Sequence, residues 1–350
     1  MHASPKIGVI TNPNSKKNQG QRDRRATLQK IVGRLGIVRE TQSVDEIAPV
    51  VEEFLSSGVK YWVTDGGDGS LHWLLNVAIE RHGTSILEAV PAAVPANGGT
   101  IDFVARHAGL KGRAEDILTH LVAGLERHRS PDYVDVPSLM LIGERDTPGG
   151  EIHRVQKIGF AAAMAGIGNG FFKRYYEVGV KRGSRAIAKI IAKGGSSLLL
   201  SNTPVTRWAP RSWIEYGEGM RAIVEAEVRI DGQTLPYRRL TAFHVGAFPV
   251  NLGDVVKVFG KAENGVLHAM IGEVSDLEIV RNVPKIMLGR KVVGSCLYDG
   301  AARSIMATVE RGERFRPVLD GEILEELDRF EIRPGPAIRI PKLDARQSPG

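Results

Sequence analysis

The first third of the chain alternates short apolar runs with longer amphipathic stretches, a pattern typical of βαβ units with parallel strands. It predicts four strands, at Lys6–Thr11, Ile37–Thr41, Tyr61–Thr64 and Ala92–Pro95. It predicts helical segments over Gln21–Leu35, Val44–Ser57, Ser70–Arg81, Ile101–Gly109 and Ala114–Gly124. The alternation ends around Ser130–Asp135. We therefore expect an α/β domain over residues 5–134.

The pattern changes beyond this point to short strand-like runs separated by turn dipeptides such as Asp231-Gly232 and Asp320-Gly321. The predicted strands are Tyr133–Ile142, His153–Ala161, Ala222–Ile230, Leu240–Val245, Leu267–Gly272, Ser304–Val309 and Arg329–Ile332. A helical insertion at about residues 169–200 and a basic helix over Val274–Gly289 interrupt them. We expect an antiparallel sandwich or barrel over residues 135–342.

Composition supports an ordinary folded protein with an excess of positive charge. The 350 residues correspond to roughly two domains at about 150 residues each. Hydrophobic residues make up 42% and charged residues 25%, which is close to the globular average and excludes a disordered chain. The 47 Lys and Arg outnumber the 40 Asp and Glu, giving a net charge of +7. This excess favours an anionic partner such as nucleic acid, a phosphate-bearing ligand or a membrane surface.

Several classes of protein are disfavoured by what the sequence lacks. With one cysteine, Cys296, it can form no intrachain disulfide or cysteine zinc cluster, so a cytoplasmic setting is expected. No run approaches the roughly 18–20 apolar residues of a membrane span, and the N-terminus does not resemble a signal peptide. No HxxxH, H-x-E or G-x-S-x-G motif is present, so metalloprotease, deaminase and serine hydrolase chemistry have no support.

The strongest chemical signal is the run from Thr64 to Ser70, TDGGDGS, between a predicted strand and a predicted helix. Glycines let the backbone turn tightly and bring its N–H groups against phosphate, and the helix N-terminus adds a positive field. The alternative is a plain βα turn with an Asp or Ser N-cap. We interpret the run as a phosphate-binding loop, because a cap requires only one such residue.

Two further loops follow predicted strands, at Asn12–Lys17 and at Pro95–Phe103. Each is weak evidence alone, because Asn-Pro and Asn-Ser dipeptides also mark ordinary turns. In a parallel sheet, however, all three loops leave the carboxyl ends of strands, where open α/β sheets bind ligands. Their shared position predicts one common site.

The combination NPNS, GGDGS and NGGTIDFVAR, followed by Leu319-Asp320-Gly321-Glu322, resembles the diacylglycerol kinase catalytic-domain family. That family includes bacterial lipid kinases and the sphingosine and ceramide kinases. The similarity runs from about Lys6 to Ile340. GGDGS alone is shared with NAD kinases and 6-phosphofructokinases, whereas the combination is more specific.

The resemblance implies a three-layer α/β ATP-binding domain and a β-sandwich lipid domain, with the active site in the cleft between them. It implies that ATP is bound by Asn12, Pro13, Asn14, Ser15, Lys16, Thr41, Gly66, Gly67, Asp68, Gly69, Ser70, His72, Gly99 and Thr100. Asp68 would orient Mg²⁺ and the phosphates, with Asp102 and Asp135 as further acidic groups at the metal. Asp320 would act as general base, with Glu322 beside it.

Two departures from the family pattern leave alternatives open. His72-Trp73 stands where such kinases usually have Asn-Glu, and Ile101-Asp102 stands where they usually have Asn-Asp or a lone Asn. The expected function is an ATP- and Mg²⁺-dependent kinase acting on diacylglycerol or a related lipid. The alternatives are an NAD kinase-like enzyme and a catalytically weakened nucleotide- or lipid-binding protein.

A basic stretch from Phe172 to Lys193 carries seven cations and a single acid, Glu177, interleaved with apolar residues. Such a segment can lie on an anionic membrane, and a solvated helix face is the alternative. We expect a cytoplasmic, peripherally membrane-associated protein whose partners are a lipid substrate and an anionic membrane surface, with a possible homodimer and no nucleic acid. Charge reversal at Lys181, Arg182 and Arg185 would then lower binding to anionic vesicles.

Overall fold

The computed structural model describes residues 6–343 except 16, 91, 100, 180–182, 202, 204–206, 209, 264 and 311. The chain divides into two compact units, Met1–Val136 together with Pro336–Gly350, and Pro137–Gly335. Sequence patterning places a single boundary near residue 134, and the structure in addition returns the C-terminal segment to the first unit. The sequence around residue 336 gives no sign of this, because the last strand of the chain is placed by its pairing with the strand that begins at Tyr133, about 200 residues earlier.

Within the described residues, the first unit contains a four-stranded parallel sheet of order β2-β1-β3-β4. Its strands are β1 (Ile7–Thr11), β2 (Gly36–Glu40), β3 (Tyr61–Asp65) and β4 (Ala92–Pro95). Its helices are α1 (Arg24–Val32), α2 (Ile47–Ser56), α3 (Asp68–His82), α4 (Ile86–Ala89), α5 (Phe103–His107) and α6 (Ala114–Glu126). β1, β3 and β4 are buried throughout, as is usual for parallel strands covered on both faces. The predicted α/β architecture is confirmed.

The second unit is built on antiparallel sheets, and its described part contains two large ones. Their strand orders are β10-β8-β16-β19-β5-β6, with β9 paired to β8, and β15-β14-β11-β7-β17-β18. The strands of the first are β5 (Tyr133–Asp146), β6 (Ile152–Gly159), β8 (Val224–Ile230), β9 (Gln233–Thr234), β10 (Arg239–Leu240), β16 (Ile305–Val309) and β19 (Arg329–Pro341). Those of the second are β7 (Ala161–Gly166), β11 (Ala242–Gly246), β14 (Leu267–Glu273), β15 (Cys296–Ala302), β17 (Val318–Leu319) and β18 (Glu322–Ile323).

A small hairpin of β12 (Val250–Leu252) and β13 (Val256–Val258) completes the strands among the described residues. The two large sheets share an aromatic core. Phe243 of β11 lies 5.4 Å from Phe330 of β19, measured between ring centroids, and Phe315 lies 4.7 Å from Phe330. Because Phe243 and Phe330 belong to different sheets, the sheets pack face to face. The structure therefore selects the sandwich over the barrel.

The described helices of the second unit are α7 (Ile167–Glu177), α8 (Ser184–Ser201), α9 (Arg211–Glu218) and α10 (Asp276–Met287). The predicted insertion at 169–200 is thus two helices, and the chain turns after Glu177 at Gly179, where φ is 65°. α9 has no sequence prediction, because its eight residues are too few for a helical period to show. In the part of the chain that the structure describes, no helix is both long and apolar enough to cross a bilayer.

Candidate functional site

Three loops of the first unit meet at the carboxyl edge of the parallel sheet, after β1, β3 and β4. They are bonded to one another through their backbones. The Gly98 N–H donates to the Gly66 carbonyl at 2.9 Å, and the Lys17 N–H donates to the Gly98 carbonyl at 3.4 Å. The loops that the sequence placed together therefore form one continuous surface.

The last residue of β3, Asp65, is fully buried and holds the first loop against the second. Its carboxylate accepts two hydrogen bonds from Arg24, from Nε at 2.9 Å and from Nη2 at 2.7 Å. Thr11 Oγ1 donates to it at 2.7 Å and Asn18 Nδ2 at 3.1 Å. Asp65 thus joins the end of β1, the first loop and the start of α1. Because its carboxylate is buried and accepts hydrogen bonds from three other side chains, Asp65 supports the site and does not face a ligand.

The partner of this carboxylate, Arg24, also reaches α6 by an ion pair with Glu115. The hydrogen bond to Asp65 raises the pKa of Arg24 above its ordinary value, against the opposing effect of burial. Burial is the largest single effect on the pKa of Glu115 and would raise it, but the hydrogen bonds from Arg24 and from the backbone, together with the positive charges of Arg24 and Arg113, lower the net pKa. Arg24 and Glu115 therefore stay charged near neutral pH. The sequence prediction missed Arg24, Asp65, Asn18 and Glu115.

The two glycine pairs of the site, Gly66-Gly67 and Gly98-Gly99, pack backbone against backbone. A Cβ atom added to Gly98 would lie 2.6 Å from the Gly66 nitrogen, and one added to Gly67 would lie 3.0 Å from the Gly99 Cα. Such distances leave no room for a side chain. The glycines are required here by close approach of the loops as well as by the turn itself.

The start of α3 fits an anion. Ser15 and Ser70 both face Gly66, because a Cβ on Gly66 would lie 3.2 Å from Ser15 Oγ and closer still to Ser70 Oγ. No side chain caps the helix at Gly67. Two hydroxyls and the N-terminus of a 15-residue helix thus converge on one turn. Hydroxyl and amide donors together with a helix N-terminus match the chemistry of a phosphate group.

The acidic residues of the site are engaged with backbone amides. Asp68 accepts from the Phe103 N–H at 3.1 Å and from the Val104 N–H at 3.2 Å. Asp102 has φ of 50° and accepts from the Gly99 N–H and from Lys17 Nζ, each at 2.9 Å. Asp68 and Asp102 therefore lie at the same corner and stabilise it.

The third predicted acid, Asp135, has a side chain 65% exposed and lies 3.7 Å from Arg339. Among the described residues, no group of three or more His, Cys, Asp or Glu side chains is arranged to hold a metal ion. The structure does not bring Asp68, Asp102 and Asp135 together as a triad, because the corner formed by the first two is closed by backbone amides and Lys17 instead.

The other predicted nucleotide contacts divide between the loop surface and the core. Asn14 is exposed and its Nδ2 donates to the Gln42 carbonyl at 3.4 Å, beside Thr41, which is buried. His72 is 1% exposed and packs edge-on against Trp73, so its ring is a core side chain in this structure. Asn12 and Pro13 are half-buried in the first loop. Lys16 and Thr100 lie outside the described residues.

In the second unit, Asp320 and Gly321 form the turn of the β17–β18 hairpin, in which Leu319 pairs with Glu322. Their φ angles of 54° and 90° are those of a type I′ turn. Asp320 Oδ1 accepts from the Phe160 N–H at 2.7 Å and from the Ala161 N–H at 3.0 Å. The carboxylate is therefore held in one orientation by the chain at the start of β7.

The same turn is held from the other side by α7. The hydroxyl of Tyr176 donates to the Gly321 carbonyl. A Cβ on Gly321 would also lie 3.8 Å from the Phe172 ring. Two aromatic residues of α7 thus border the turn, and neither was predicted from the sequence. Glu322 is half-buried at the first position of β18.

Residues 6–131 match the diacylglycerol kinase catalytic domain. The match covers 126 of the 350 residues and lies within the first unit. The matched range contains all three loops of the first unit, and the resemblance drawn from NPNS, GGDGS and NGGT is confirmed. Among curated proteins, no sequence matches the chain significantly.

Solved structures extend the likeness of fold to nearly the whole chain. A crystal structure of a diacylglycerol kinase from Bacillus anthracis strain Sterne is 17% identical, with a TM-score of 0.55, and the match covers 96% of each chain. Two further structures from that strain, each provisionally described as a diacylglycerol kinase, are also 17% identical. Their TM-scores are 0.57 and 0.58, with 94% of this chain covered in both and 93% and 94% of theirs. At this identity the likeness establishes the fold.

Replacing Arg24 by Met would leave Asp65 as an unpaired buried charge. We expect Arg24→Met to lower the free energy of unfolding by about 3–5 kcal/mol. Arg25, the next residue of α1, is exposed, so Arg25→Met should change it by less than about 0.5 kcal/mol. Urea denaturation of both variants measures the difference. Equal stability of the two variants would show that the buried pair contributes little.

Placing a methyl group on Gly98 would force the second and third loops apart. We expect Gly98→Ala to lower the unfolding free energy by about 1–3 kcal/mol, as overpacking does. Gly124 lies in α6, where an added Cβ would meet only the Arg129 carbonyl oxygen, at the ordinary contact distance of 3.9 Å. Gly124→Ala should therefore be neutral or stabilising by up to about 1 kcal/mol. Thermal denaturation compares the stability of the two variants. If Gly98→Ala is as stable as the wild-type protein, Gly98 does not lie as close to Gly66 as described.

Proposed function

We propose that the protein is an ATP-dependent lipid kinase, which transfers the γ-phosphate of ATP to a hydroxyl of diacylglycerol or a related lipid. The observation that carries the proposal is the interlocked pair of glycine turns beside the uncapped N-terminus of α3. This feature lies in the region that matches the diacylglycerol kinase catalytic domain. Its backbone amides and hydroxyls are the kind of hydrogen-bond donor that binds the phosphates of a nucleoside triphosphate.

The first unit is proposed to bind the nucleotide. Ser15, Ser70 and the backbone amides at the start of α3 would contact the phosphates, and Asn14 would lie at the exposed side of the first loop. Phosphoryl transfer depends mainly on positioning and on neutralising charge, which these groups and a cation can supply. ATP, when bound, supplies the phosphoryl group.

Magnesium is proposed to accompany the nucleotide. Mg²⁺ is usually held by one or two protein carboxylates together with water and substrate phosphates. Asp68 is the residue proposed to contact it, since its carboxylate lies at the corner where the second and third loops meet. An ionised carboxylate offers about four acceptor positions, so that the same side chain can bind backbone amides and a cation. A separate cage of acidic side chains is not required by this scheme.

The second unit is proposed to supply the general base. Asp320 would take the proton from the lipid hydroxyl as the new P–O bond forms, and Glu322 would lie beside it. The two amides of Phe160 and Ala161 hold the Asp320 carboxylate in place, so that one orientation is presented to the acceptor. A cytoplasmic location and a homodimer stay predictions.

Replacing Asp320 by Asn keeps the hydrogen bonds to the backbone amides and removes the base. We expect Asp320→Asn to slow ADP release by about 10²–10⁴-fold, with ATP affinity measured by calorimetry nearly unchanged. The reaction is assayed with diacylglycerol, a sphingoid base and NAD offered separately. Release of ADP with NAD alone would contradict the lipid kinase.

The chain offers a matched control in Asp231. It also has a positive φ, of 49°, precedes a glycine, and accepts from two backbone amides, those of Arg303 and Ser304, through Oδ1. Asp231→Asn should therefore share any effect on turn stability and leave the rate unchanged. An equal loss of rate in both variants would show that Asp320 acts only in folding the hairpin.

A further inference from the structure

The end of α10 and the loop that follows it expose large apolar side chains. We call residues 285–294 the α10 tip. Met287 is 42% exposed, Leu288 61% and Val293 43%. Three such residues within seven positions are a local concentration of apolar surface. Clustered exposed apolar residues, unlike scattered ones, mark an interaction site.

The charge around the α10 tip is of one sign. Between Glu278 and Asp299 the sequence has no acidic residue and four cations, namely Arg281, Lys285, Arg290 and Lys291. Within the described residues, none of the four forms an ion pair. The positive charge of this segment is therefore available to a partner.

The α10 tip is held in a defined conformation by two clamps. Asn282 is buried and exchanges two hydrogen bonds with the backbone of Val293, at 2.6 and 3.0 Å. Glu278 accepts from the Ser295 N–H at 2.9 Å, and backbone amides at Ser275 and Ser295 lower the pKa of Glu278 to about 2. An apolar surface that is already ordered loses little conformational entropy when it binds.

We propose that the α10 tip docks on an anionic membrane surface. Met287, Leu288 and Val293 would enter the boundary between headgroups and acyl chains, while Arg290 and Lys291 would meet the anionic headgroups. Apolar side chains flanked by cations are the combination that suits this interface. Docking goes beyond the kinase function, because it concerns where the protein meets the bilayer and can be measured without catalysis.

The basic stretch from Phe172 to Lys193 is a less suitable docking surface than its sequence indicates. Arg174 pairs with Glu177 at 2.9 Å and also lies over the ring of Tyr216, 4.5 Å from its centroid. Lys193 Nζ lies 4.1 Å from the same centroid. Two cations of that stretch thus bind within the protein. Lys181 and Arg182 lie outside the described residues.

The proposal is tested by sedimentation of the full chain with phosphatidylcholine vesicles, with and without phosphatidylglycerol. We expect the wild-type protein to prefer the anionic vesicles. Arg290→Glu with Lys291→Glu should weaken that binding by about 30-fold or more, at roughly five-fold for each cation removed. Met287→Ser with Leu288→Ser should weaken it by about 10-fold or more through lost apolar burial.

The matched control reverses two exposed cations elsewhere in the second unit, Arg303→Glu with Arg333→Glu. It changes the net charge by the same amount and should reduce binding by less than about 3-fold, because salt screens charges that do not contact the headgroups. Circular dichroism shows that each variant is folded. No nucleotide or acceptor is present, so the outcome is independent of kinase activity.

Four results would overturn the proposal. The first is a wild-type protein that binds anionic vesicles no better than neutral ones. The second is an equal loss of vesicle binding in the tip variants and the control variant. The third is a loss of vesicle binding that occurs only when Lys181→Glu, Arg182→Glu and Arg185→Glu are combined. The fourth is a dimer in analytical ultracentrifugation that Met287→Ser with Leu288→Ser dissociates while vesicle binding is unaffected, because the tip would then be an interface between two copies of the chain.

Discussion

Asp65 carries its charge in the interior of the first unit, and the arrangement of the site depends on how that charge is compensated. A buried carboxylate costs several kcal/mol unless it is paired and fully hydrogen-bonded. Arg24 supplies two bonds, and Thr11 and Asn18 supply one each to the same carboxylate. These donors come from the end of β1, the loop after it and the start of α1. Satisfying one buried charge therefore fixes three separate pieces of chain at the carboxyl edge of the sheet.

The close approach of the loops explains why the site is made mostly of backbone. With the first loop fixed against β3, Gly98 lies against Gly66 and Gly99 against Gly67, at distances that admit no Cβ. Backbone amides and small hydroxyls are then the groups left to face a ligand. They are the donors that suit phosphate oxygens. Backbone amides also orient a carboxylate in the second unit, where those of Phe160 and Ala161 donate to Asp320.

The order of strands and loops in the first unit could be predicted, because apolar runs bounded by Gly, Asn and Asp are local signals. The Arg24–Asp65 pair could not, since the partners are 41 residues apart and Arg22 and Arg25 lie in the same polar stretch. Only the folded chain buries Arg24 and leaves the other two exposed. The metal triad of Asp68, Asp102 and Asp135 was predicted because all three residues are acidic. The identity of a residue does not show that Lys17 binds Asp102 or that Arg339 lies beside Asp135 in the folded chain. β17 and β18 have two residues each, too few for a period to show.

The loops held by Asp65 are proposed to bind a nucleotide, and the decisive measurement is the ATP affinity of the double variant Arg24→Met with Asp65→Leu. Exchanging a buried ion pair for apolar residues of similar size is often neutral for stability, so the variant should remain folded. Thr11 and Asn18 would lose their common acceptor and the first loop would shift. Calorimetry should then show ATP affinity reduced by about ten-fold or more relative to the wild-type protein. A folded double variant that binds ATP as tightly as the wild type would contradict the account, as would a wild-type protein that does not bind ATP.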